Sequence, residues 1–192
     1  MQLDVELERC LCIHSLSQVI DITLQVLLYQ RQIIPQPVQH FLEDTGRNAQ
    51  SFKIAYENVK NIIRSTFRAE NSLAIKEVAI IIGSTPYLPK LLYRIPVVLC
   101  RQHFSTSQLD GCGDNCKALT NREKRQIFSS MALSKTANNL INECVPTATD
   151  KVFFHQYYGQ QPTLFEELEE SKKMPASNYL ILRMHAIGKF VS

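Results

Sequence analysis

The chain has 192 residues, and single hydrophobic cores run to about 200 residues before splitting, so one domain over 1–192 is the expectation. Apolar residues make up 45% and charged residues 20%, which is ordinary globular usage and excludes a disordered tail, a collagen or a small disulfide scaffold. A net charge of +3, spread thinly, does not make the dense basic face of a nucleic-acid binder.

No stretch reads as a membrane span. The longest candidate, 78–100, is broken by Gly83, Pro86, Pro89 and Pro96 and carries Lys90 and Arg94. The first residues lack the basic start and apolar stretch of a signal peptide, so an intracellular chain is expected, with its six cysteines mostly reduced.

In chain order, residues 3–8 suit a short strand. Ser15-Leu16-Ser17-Gln18 predicts a capping box opening the first helix. Behind it Leu16, Val19, Ile20, Leu24, Leu27 and Leu28 recur at helical spacing, with Ile22 and Val26 on the other side. A helix apolar nearly all round belongs in the middle of a domain, and this one must stop before Pro35, near Arg31. Residues 44–48 read as a loop, and 51–67 as a second helix with Phe52, Tyr56, Val59, Ile63 and Phe67 on one face. The β-branched run 77–82, ended by Gly83, predicts a buried strand. Residues 91–100 form a second strand candidate, which Pro96 would place at an edge or bend.

Residues 101–118 are polar and read as a loop. Thr120-Asn121-Arg122-Glu123 is another capping box, opening a third helix to about Asn142. Residues 146–150 suit a turn, 151–158 and 179–186 suit strands, and 163–174 a short acidic helix. This order lacks the strict alternation of a doubly wound fold. It predicts α+β, with helices on one face of a mostly antiparallel sheet.

Little in the sequence suggests catalysis. Phosphate-loop, dinucleotide, G-x-S-x-G and H-E-x-x-H patterns are missing, and the five histidines (14, 40, 103, 155 and 185) carry no local signature beside a cysteine. Cys100, His103, Cys112 and Cys116 are the ligand types of a zinc site. Their spacing departs from the paired C-x2-C knuckle, however, and the plainer reading is a reduced Cys100 beside an exposed loop. No metal or other cofactor is expected. The acidic helix reads most simply as a solvated one, with Glu169 and Lys173 at i, i+4.

The third helix is more informative. With Ile127 at zero degrees, Met131, Ser134, Ala137 and Ile141 cluster within about 80 degrees and make a core face. Phe128 falls elsewhere, on the side of Lys124, Arg125, Ala132 and Lys135. With Trp absent, an aromatic anchor must be Phe or Tyr. A Phe on a basic helix face is either covered by the C-terminal chain or serves as the anchor of a protein–protein interface rimmed by those residues.

Tyr29-Gln30-Arg31-Gln32-Ile33-Ile34-Pro35-Gln36-Pro37 resembles the signature stretch of the comet family, the spindle-checkpoint adaptors that bind Mad-two. His40-Phe41 continues the match. Residues 78–83 with Leu88-Pro89-Lys90, then Lys124-Arg125-Gln126-Ile127-Phe128, then Asn178-Tyr179-Leu180-Ile181 are similar to later family blocks in the same order. The resemblance covers roughly 13–100 and 119–141.

It implies a HORMA-like fold: a central sheet with three main helices packed on it (core 3–142) and a C-terminal safety-belt segment (143–192). It implies a non-enzymatic adaptor, monomeric when free, that binds the closed conformer of Mad-two. The adaptor would present that conformer to a hexameric AAA ATPase remodeller of the pachytene-checkpoint type, disassembling the mitotic checkpoint complex and silencing the checkpoint. Location in nucleus and cytoplasm, and at spindle or kinetochore in mitosis, would follow. Gln30 and Phe128 carry over as interface positions by motif. The alternatives are a HORMA module that captures a peptide under its own belt, and a zinc-stabilised interaction domain.

Overall fold

The computed structural model describes residues 2–7, 11–68, 75–98, 118–134, 151–158 and 179–186. Among the described residues the elements are, in chain order, β1 (Gln2–Leu7), α1 (Ile13–Gln30), α2 (Val38–Glu43), α3 (Arg47–Arg68), β2 (Ile75–Thr85), β3 (Leu88–Pro96), α4 (Asn121–Ala132), β4 (Lys151–Tyr158) and β5 (Tyr179–Ala186). The class is α+β.

The β-branched run of β2 sits where such a run is expected, inside the sheet and buried on both faces. Successive side chains alternate across a strand. Val78, Ile80 and Ile82 therefore join Leu91, Tyr93 and Ile95 of β3 in the core that also holds α1. Ala79, Ile81 and Leu92 are buried on the opposite face. On that same face Glu77 receives two hydrogen bonds from Arg94, at 2.9 and 2.6 Å. The β2–β3 turn is tight at Gly83: a Cβ there would lie 2.6 Å from the Leu88 carbonyl oxygen and 3.1 Å from Pro89 Cα, so glycine alone lets the two backbones approach.

The strand order is β1-β5-β3-β2-β4. The pairs β2–β3 and β2–β4 are antiparallel, as expected. The pairs β1–β5 and β3–β5 are parallel, so the sheet is mixed rather than mostly antiparallel. The last strand inserts between the first and the third, and long chain separations permit the crossovers that parallel pairs require. Pro96 does not push β3 to an edge: it closes an interior strand, two residues beyond the last β5 pairing at Arg94.

Helix α1 lies between α3 and α4. Its Leu16, Val19, Ile20, Leu24, Val26, Leu27 and Leu28 are all buried, which explains why it is apolar nearly all round. Truncating any of its buried leucines or Ile20 to Ala should cost about 2–5 kcal/mol. Its cap lies three residues before the predicted position. Cys12 is the N-cap: its Sγ accepts from Ser15 N–H, and Ser15 Oγ accepts from Cys12 N–H at 2.8 Å. Ser15 thus closes the box from inside the helix rather than opening it. Gln18 is left for another task, described below.

Helix α3 begins at Arg47 and so takes in the end of the predicted 44–48 loop. The short α2 was not foreseen; it buries Val38 and Phe41. Phe41, Phe52 and Tyr56 form a run of ring contacts, with centroids 5.2 and 5.5 Å apart. Tyr56 donates its hydroxyl to Asp21 Oδ1 at 2.7 Å and so ties α3 to α1. Burial pushes this phenol far above its ordinary range, and the Asp21 charge beside it pushes the same way.

Candidate interaction surface on the first and fourth helices

Helix α4 is fixed by polar contacts at several points. Thr120 and Glu123 form the predicted capping box, with Glu123 Oε2 accepting from Thr120 N–H at 2.7 Å. One residue earlier, the buried Leu119 donates its N–H to Gln18 Oε1 of α1 at 2.6 Å. Gln126 Nε2 donates to the Glu6 carbonyl of β1 at 2.6 Å. Ile127 and Met131 are buried, as the helical spacing predicts, and Ser134 is half-buried. The helix ends at Ala132 with Leu133 as its C-cap, short of the predicted end near Asn142, and Ala137 and Ile141 lie outside the described residues.

With that seam fixed, Phe128 faces outward and is 45% exposed. Lys124 and Ala132, one turn on either side of it, are half-buried, and Arg125 is exposed. Lys135 lies outside the described residues. Leu133, just past the helix, is 78% exposed.

Gln30 stands at the end of α1 and is half-buried. Its Nε2 donates to the Met131 carbonyl at 3.5 Å, the long limit of a hydrogen bond, which places it against the last turn of α4. The two positions carried over by motif therefore lie on one helix pair. After Gln30 the chain turns sharply: Arg31 caps the helix, Gln32 takes a left-handed φ of 54°, and Ile33 and Ile34 donate to the Leu28 carbonyl. Tyr29 and Ile33 project outward on either side of this turn.

Arg31 turns the other way. It is buried, its Nε donates to the Tyr93 hydroxyl, and its guanidinium lies 5.5 Å from the Tyr93 ring centroid. Among the described residues its Nη1 has no hydrogen-bond partner. Arg31 anchors the end of α1 to β3, which fixes where Gln30 and Tyr29 emerge.

An exposed Phe, Tyr and Leu, one amide and a basic rim can adhere to another protein. No protein-family model matches the chain, and the search of curated proteins finds none that matches it.

Cys100, His103, Cys112 and Cys116, the zinc candidates, lie outside the described residues, as do the acidic helix 163–174 and most of the belt segment 143–192. Among the described residues no three His, Cys, Asp or Glu side chains cluster as a metal site would require, and no helix is long and apolar enough to cross a membrane. Sequence reasoning gave no role to Tyr29, Ile33 and Leu133. Each is apolar and stands at a helix end, where periodicity stops assigning faces.

Proposed function

We propose that this chain is a non-enzymatic HORMA-type adaptor of the comet kind, whose α1–α4 surface binds the closed conformer of Mad-two. The observation that carries the reading is the exposed Phe128 on a helix held by caps and cross-links, with Gln30 at its last turn. Three long helices beside an α+β sheet are compatible with the HORMA frame. Phe128 is the anchor, Gln30 supplies a directional hydrogen bond, and Lys124 and Arg125 tune association rate and salt sensitivity. A hexameric AAA ATPase remodeller of the pachytene-checkpoint type would then act on the conformer that the adaptor presents to it.

The test is binding to purified Mad-two locked closed or open, with wild type beside the Gln30→Ala, Phe128→Ala double variant. Truncating one anchor costs about 2 kcal/mol or more, so affinity for the closed form should fall about 30-fold or further. Equal binding to both conformers, or an unchanged affinity in the double variant, would sink the assignment.

A further inference from the structure

Strand β4 closes one side of the sheet. Among the described residues it pairs with β2 and with no other strand. The pairing runs without a bulge from Lys151 to Tyr157, opposite Gly83 to Glu77. An edge strand shows a row of backbone donors and acceptors, and proteins blunt such edges with Lys, Pro, bulges or short length. Past Lys151 this edge has none of these. Residues 152–158 read Val-Phe-Phe-His-Gln-Tyr-Tyr, with no Pro, Gly, Lys, Arg, Asp or Glu. Helix α3 flanks the edge. Its Ala55 lines one apolar cavity of about 240 Å³ with Val152 and Phe154, and Gln156 donates to its Thr66. Ile62 stands on the same side, seven residues after Ala55 and four before Thr66, and is 52% exposed.

Ser51, Ala55, Asn58, Ile62 and Thr66 make this side of α3, and none is charged. The cations lie on the other side. Lys60 sits 5.4 Å from the ring centroid of Tyr56, which bonds to α1, and Lys53 and Arg64 share that side. We propose that β4 pairs antiparallel with β4 of a second copy of this chain, about a twofold axis normal to the sheet, joining two five-stranded sheets into one. That axis sets both α3 helices on the same face of the joint sheet, so Ala55 and Ile62 of one copy meet α3 of the other. Charge and area select this occupant. Strand and helix side are both uncharged, so the two copies meet with no like charges opposed, and each basic flank points away from the axis. The strand's length gives a contact roughly 27 Å long. A sheet layer and a helix layer, each about 10 Å, make it about 20 Å deep. Each copy then contributes about 500 Å², or about 1,000 Å² in total, which reaches the lower bound for a specific dimer. The resemblance to the comet family implies a monomer; this edge implies a weak dimer. Helix α1 separates α3 from α4, so the dimer leaves Gln30 and Phe128 uncovered.

The test is independent of the Mad-two reading. Sedimentation of the whole chain is followed from about 1 to 300 µM. The average mass should rise from that of one chain toward that of two, with a micromolar dissociation constant. Ile62→Lys, at an exposed helix position between the levels of Ala55 and Thr66, brings like charges together near the axis and should weaken the dimer about tenfold or more. Hydrogen exchange should show alternate backbone N–H groups of 152–158, those turned away from β2, gaining protection as concentration rises. Gln30→Ala, Phe128→Ala and the far-side Lys53→Ala should leave the dimer as it is. A chain that stays monomeric over the whole range, whatever other strand it binds, would overturn the proposal. So would a dimer whose β4 amides gain no protection, or one lost in Gln30→Ala, Phe128→Ala but kept in Ile62→Lys.

Discussion

Gln18 allows the placement of α4 to be tested with two substitutions at one site. Its Oε1 is the acceptor for the N–H of Leu119, a residue only 3% exposed, immediately before the Thr120 cap. Gln18→Ala leaves that donor buried and unpaired, which costs about 1–3 kcal/mol. Gln18→Glu keeps an acceptor and sets a negative charge at the positive end of α4. The helix dipole favours such a charge by about 0.3–1 kcal/mol, offsetting its desolvation. The two variants should therefore separate. With a urea m-value of about 2 kcal/mol/M, the Ala variant should lose about 0.5–1.5 M in midpoint while the Glu variant stays near wild type. Urea unfolding followed by circular dichroism measures both. Equal losses in the two variants would mean the side chain acts by packing alone. An Ala variant within about 0.3 M of wild type would mean the hydrogen bond does not hold α4 at all.

Two further outcomes follow from buried polar groups. Arg94 and Glu77 have side chains only 16% and 8% exposed, so Arg94→Ala should cost about 3–5 kcal/mol by stranding the carboxylate, whereas Glu77→Met with Arg94→Met should fall much closer to wild type; denaturant titration of both checks this. Tyr56 keeps its proton in the folded chain at pH values where the unfolded chain loses it, so above pH about 10 the native state binds more protons and stability must fall as pH rises. Tyr56→Phe should flatten that alkaline slope while losing the tie to Asp21, and thermal melts from pH 8 to 11 on both proteins would read it.

Legibility in the sequence tracked how local the cause is. The α4 capping box lies within four consecutive residues, and both partners sit where the pattern placed them. Both strands of the C-terminal part, β4 and β5, matched their predicted limits because aromatic and β-branched runs are bounded by turn residues. The α1 cap was misplaced because Ser is a stronger capping prior than Cys, and nothing local showed that Gln18 would be drawn off to Leu119, 101 positions away. Strand direction was illegible for the same reason. Alternation tells which residues face the core, but not whether β5 runs with or against β1 and β3. The cavity on the core side of α3 exists only once α1, β2 and β4 are brought together, so no local pattern marks it.

The exposure of Phe128 is a forced consequence of the helix it sits on. Ile127 and Met131 lie four residues apart on one face and are 0% and 1% exposed. One residue further along an α-helix is a rotation of about 100 degrees, so Phe128 cannot share their seam. Turning α4 to bury the ring would bring Ile127 and Met131 out. Each gives up about 1.5–3 kcal/mol on leaving the core, against a similar gain for one half-exposed Phe. The same rotation would break the hydrogen bonds from Leu119 to Gln18 and from Gln126 to Glu6, each worth about 0.5–1.5 kcal/mol net. The balance is clearly against rotation. The helix itself therefore sets the exposure of the ring, and the partner surface proposed above would meet it beside the half-buried Lys124 and Ala132.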